Sequence, residues 1–142
     1  MIVLDNHTKI KVPKKLLKEI MQSLTNKDLE LMICDNEYMK ELNSNFRNIN
    51  KPTDVLSFPL VDEVGFLKSL GTIVISEDFI RDGASKFRHK KKHELTLLFI
   101  HGLLHLLGFD HEKDNGKMRK METKLIKKFE LPNSLIVRVG HR

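Results

Sequence analysis

The chain contains no tryptophan, one tyrosine and one cysteine. A single cysteine excludes an internal disulfide and fits a reducing compartment. Cys34 closes the apolar run LELMIC and reads as a small buried strand residue rather than a reactive thiol. Long hydrophobic runs are also missing. The longest, residues 95–107, is too short to span a bilayer and carries two histidines and a glycine. The opening residues, MIVLDNHTKIKV, lack a basic lead, an oily stretch and a small-residue cleavage site, so no secretory signal is expected. Together these absences point to a soluble, cytoplasmic protein. Acidic residues are the scarcer charge, 19 against 25 lysines and arginines, which leaves a net charge of +6. That balance suits a polyanionic partner, nucleic acid first, but it also suits plain solubility, and charge alone does not decide.

What is present is enough for one domain. A chain of 142 residues, 40% of them hydrophobic, can bury a real core. MIVLD reads as a first strand and PKKLLKEIMQSL as a helix with Pro13 in its first turn, where a missing N–H costs nothing. LELMIC reads as a second strand, and DNEYMKELNSNF as a helix capped by Asp35. Residues 43–52 read as a polar loop, DVLSF as a short strand closed by Pro59, residues 61–69 as a turn or hairpin tip, and LGTIVIS as another strand. Ser76 is placed to cap a helical turn, and the basic cluster KFRHKKKH follows, between Arg81 and His93. A helix is expected from about residue 92 to 107, stopped by Gly108. Met118, Met121, Leu125, Ile126 and Phe129 then mark one face of a last amphipathic helix. Strands and helices mix without strict alternation, which predicts an α+β domain with a small, mostly four-stranded mixed sheet packed with helices.

The segment FIHGLLHLLGFDHE places three histidines in an oily setting. His101 and His105 are four apart, so on a helix both imidazoles reach one point. Gly108 lets the chain bend back, and His111, six residues after His105, has the reach to close on that point. Three histidines with an open fourth position make a catalytic zinc site rather than a closed structural one. Buried neutral imidazoles are tolerable when a metal takes their lone pairs and neighbouring groups take their N–H. The spacing HxxxHxxGxxH resembles the metzincin protease signature, in which a glutamate after the first histidine is the general base. Here that position is Gly102, so a peptidase would lack its base. Asp110 or Glu94 could substitute, though Glu94, two turns before His101, reads better as a structural or orienting group. Gly102 inside a helix costs about 1 kcal/mol against alanine, and its expected role is to let another element approach closely.

Two blocks in order, LNSNFRNINKPTDVLSFP and HGLLHLLGFDH, resemble the YbeY family of bacterial metal-dependent endoribonucleases, and LGTIVIS falls where that family has its next strand. The resemblance implies a compact α+β domain with one zinc per chain held by His101, His105 and His111. It implies cleavage of single-stranded RNA, and roles in 16S rRNA 3′-end maturation and ribosome quality control, with the small ribosomal subunit as partner. It also puts Arg47 at the arginine position that serves cleavage. Independently, a guanidinium can pair with two phosphate oxygens and stabilise charge developing on a scissile phosphate. Two positions depart from the family pattern: Thr72 stands where an aspartate is usual, and Asn50 where an acidic residue precedes KPT. The source of a general base therefore stays open. So does the choice between attack by hydroxide and activation of a ribose hydroxyl. The competing functions are a metallohydrolase of another substrate class and a non-catalytic, zinc-containing ribosome-assembly factor.

Overall fold

A computed structural model describes residues 1–61, 65–110 and 112–140. Its element order is β1 (Ile2–Asn6), α1 (Lys14–Gln22), β2 (Asp28–Cys34), α2 (Asn36–Arg47), β3 (Val55–Pro59), β4 (Ser69–Ser76), α3 (Glu77–Phe87), α4 (Lys91–Leu106), α5 (Lys117–Lys128) and α6 (Ser134–Gly140). The four strands form one mixed sheet in the order β1-β2-β4-β3. The first three of these run parallel, and β3 pairs antiparallel with β4 through registers such as Ser57 with Ile73. The expected α+β class and mixed four-stranded sheet are both present.

Alternation along the strands assigns the two faces of the sheet. Leu29, Leu31 and Ile33 of β2 and Ile73 and Ile75 of β4 belong to the main core, with α4. Cys34, Val74 and Leu56 turn the other way and pack with Met39 of α2. The α4 helix is apolar on nearly every side, which is the pattern of a helix surrounded by other elements rather than laid on a surface. Its close seat on the sheet depends on Gly102: a Cβ there would stand 2.8 Å from Ile73 Cγ2 and 3.2 Å from Ser57 Oγ. Ser57 Oγ instead donates to the Gly102 carbonyl at 3.0 Å. The helix ends as its sequence predicts. Gly108 takes φ +98°, its N–H donates to the His105 carbonyl, and Phe109 N–H donates to the Leu104 carbonyl, both at 3.0 Å. That pair of bonds is a Schellman stop.

Asp35 caps α2 by accepting from Tyr38 N–H at 2.9 Å, and Ser76 accepts from Phe79 N–H at 3.4 Å. Three expectations need correction. Residues 43–47 are not loop: α2 continues to Arg47, and Asn48 ends it in the left-handed conformation at φ 57°. The single turn expected after Ser76 is the eleven-residue α3. The amphipathic α5 is not the last helix, because α6 follows and buries Leu135 and Val139.

Candidate active site

The site lies along the free edge of β3. Val55, Leu56, Ser57 and Pro59 all line a cleft of about 820 Å³, so its wall is the strand edge rather than one face. From the α4 side come His101 and His105. From the end of α2 comes Arg47, from α5 Arg119 and Glu122, and from α6 Arg138. Gly108, Phe109, Asp110 and Glu112 close one end.

His101 and His105 meet as their i, i+4 spacing predicts. Their Nε2 atoms are 3.1 Å apart and their rings stand nearly perpendicular, at 80°. Two imidazoles can meet at this distance in two ways: one Nε2–H donates to the other Nε2, or both lone pairs face a common cation. Two nitrogens about 2.0–2.1 Å from one tetrahedral zinc would be about 3.3 Å apart, so the pair fits two of its corners. Glu122, almost fully buried, brings Oε1 to 3.7 Å from His101 Nδ1. A carboxylate on that side of the ring favours the tautomer whose Nε2 carries the lone pair. His111, the third expected ligand, lies outside the described residues. Among the described residues no group of three His, Cys, Asp or Glu side chains converges to hold a metal.

Arg47 reaches this cleft from a helix end rather than from the loop where its sequence context put it. Glu94 is fully buried and keeps a structural place. Its Oε1 lies 2.7 Å from His89 Nε2, and its Oε2 accepts from Arg138 Nε at 3.1 Å. Gly83 gives the carboxyl room, since a Cβ there would stand 2.4 Å from it. Arg138 also lies 3.6 Å from Asp54 Oδ2, so it joins the first turn of α4 to the segment before β3. Asp110, the other possible base, lines the cleft, and its Oδ1 accepts from Glu112 N–H at 3.1 Å. The basic cluster at residues 86–93 does not line the cleft. Within it, burial first and then Lys92, His89 and Lys90 push His93 below the usual histidine range.

Arg119, Glu122 and Arg138 escaped the sequence reading. Glu122 carried a usable signal: it falls inside the apolar stripe of α5, between Met118 and Ile126 at four-residue intervals, where a carboxylate needs a reason. Arg138 carried none, because its helix was not expected.

The endoribonuclease YbeY family model matches residues 3–130. An endoribonuclease YbeY of Aliarcobacter butzleri is 55% identical over 138 residues, covering 97% of this chain and 99% of the relative. One from Sulfurovum is 53% identical over 141 residues, covering 96% of each. A Thermotoga maritima protein solved in solution superposes with a TM-score of 0.62 at 29% identity, covering 91% of this chain and 89% of that one. With a family match over residues 3–130 and near-full-length matches to named relatives, the chain belongs to the endoribonuclease YbeY family.

Proposed function

We propose that this protein is a zinc-dependent, single-strand-specific endoribonuclease that acts in 16S rRNA 3′-end maturation and ribosome quality control. The observation that carries the reading is the shared cleft: the converging His101–His105 pair and Arg47 line one open groove, although more than fifty residues separate them in sequence. In this reading His101, His105 and His111 hold one zinc. Bound there, the ion would act as a Lewis acid on a phosphoryl oxygen and lower the pKa of a water ligand toward ~7. Glu122, with Oε1 3.7 Å from His101 Nδ1, is the group placed to orient that ring. Arg47 grips the scissile phosphate with paired N–H donors and stabilises the charge that develops on it. The exposed edge of β3 leaves the groove accessible to a flexible strand.

The test is incubation of metal-quantified protein with a defined single-stranded RNA and with the same sequence as a duplex, alongside His105→Ala. About one equivalent of zinc, cleavage of the single strand alone, and loss of both metal and cleavage in the variant are expected. Full metal retention by His105→Ala would show the ligands to be misassigned. Binding without turnover would leave a non-catalytic assembly factor. The ribosomal role is tested by mapping 16S 3′ ends in cells whose sole copy carries His105→Ala, where unprocessed ends should accumulate.

A further inference from the structure

The residue before Arg47 is Phe46, which is 66% exposed. A phenylalanine so open, next in sequence to an arginine that lines the cleft, is not explained by the core. Phe46 sits on the last turn of α2 and meets Phe58 of β3 with ring centroids 5.2 Å apart at 66°. This edge-to-face contact fixes the ring and leaves much of it to solvent. Phe58 lies between Ser57 and Pro59, both of which line the cleft. Its own ring turns to the opposite face of the sheet, where it packs with the smaller core cluster. The aromatic pair therefore flanks the free edge of β3, on the far side from the histidines. Phe109, the aromatic at the other end of the cleft, is half-buried against the main core.

We propose that Phe46, propped by Phe58, is a stacking site for an unpaired nucleobase of the RNA strand whose phosphate Arg47 contacts. The inference rests on the endoribonuclease reading for its ligand class. The chemistry favours that ligand over other apolar groups. Phe46 is next in sequence to Arg47, which is exposed and lines the groove, on a chain of net charge +6, and this pairing suits an occupant with both anionic and flat aromatic parts. Proteins that hold single strands combine cationic side chains for the phosphates with aromatic faces, because every base has a π-face. A duplex keeps its bases stacked on each other and cannot offer one, so this site would itself discriminate against paired RNA.

The experiment uses the full chain with its metal content measured. Phe46→Trp gives the protein a tryptophan reporter, since the chain has none. Mixing it with a single-stranded RNA of about ten nucleotides, within the usual reach of such grooves, should quench its fluorescence, and the duplex should not. Phe46→Leu keeps an apolar cover over Phe58 but removes the aromatic face. Its affinity for the single strand should fall at least about fivefold, the low end of what one base–aromatic stack contributes, with duplex affinity and Tm unchanged. In an oligonucleotide series with one base removed at a time, one position should weaken wild type and leave Phe46→Leu unaffected. Unquenched tryptophan, or wild-type affinity in Phe46→Leu, overturns the stacking site while leaving RNA cleavage intact. Quenching and loss of affinity in a protein that cleaves no RNA would support the stacking site and remove the nuclease reading instead.

Discussion

Replacing Arg47 with alanine should slow single-turnover cleavage of a labelled single strand about 100- to 1000-fold, the usual effect of losing one donor to a developing oxyanion, ~3–4 kcal/mol. The side chain is exposed at a helix end, so zinc content and Tm should stay at wild-type values. Arg47→Lys should recover part of the rate, because an ammonium supplies the charge without the paired contact. Loss of zinc together with activity would recast Arg47 as a structural residue. Cys34 makes the opposite kind of prediction. Burial first, then the nearby Asp35 and Asp78, push its thiol up to about 12, so almost no thiolate exists near neutral pH. Native protein should resist alkylation by iodoacetamide at pH 8, and the thiol should react at an ordinary rate once the chain is unfolded. Fast labelling of the native state would contradict the buried placement of β2.

At the scale of elements, α4 joins core and site, and Gly102 is where the two demands meet. Alanine would gain about 1 kcal/mol of helix propensity. Its methyl group, however, would press on Ile73 Cγ2 at 2.8 Å, in a packed face with little room to give. Overpacking of this kind costs about 1–3 kcal/mol, so Gly102→Ala should lower stability in urea unfolding despite the better helix former. A raised midpoint would show that the sheet yields. This helix was legible in the sequence because three signals agreed: an apolar run, histidines at i, i+4, and a glycine stop. The end of α2 was not. Its residues NSNFR are rich in Asn and Ser, which compete for backbone bonds outside helices. Tertiary contacts decide otherwise: Asn43 is buried and its Nδ2 donates to the Lys51 carbonyl at 2.8 Å. Likewise the branched SLIVRVG does not read as a helix. It is held by the burial of Leu135 and Val139 and by the ties of Arg138 to Glu94 and Asp54. Thus the histidine pair could be read from local periodicity. Arg119, Glu122 and Arg138 join it only through packing between distant segments.

At the scale of the whole molecule, two groups of positive charge can be told apart by their place relative to the cleft. Arg47, Arg119 and Arg138 line the cleft, whereas Lys86, Arg88 and Lys90 to Lys92 stand apart from it around the α3–α4 junction. The two groups should act on different steps. A single strand lying in the groove releases counterions where its phosphates are contacted, and each such contact adds about 0.7 to the log–log salt slope of affinity. Arg47→Ala should lower that slope by about this amount. Arg138 is already engaged by Glu94 and Asp54, so its replacement should change the slope less. The lysine cluster contributes through the long-range field, which salt screens beyond about 10 Å at 0.1 M. Changing Lys90, Lys91 and Lys92 together to glutamine lowers the net charge by three. That change should slow association at low salt and leave both the cleavage rate of bound RNA and the slope nearly unchanged. Stopped-flow association over a salt series, with single-turnover rates on the same samples, separates these effects. A slope that falls by about 2 in the triple variant would mean that the strand leaves the cleft and runs over the α3–α4 junction. A slope of zero in wild type would mean that none of these cations meets a phosphate and that the basic balance serves only solubility.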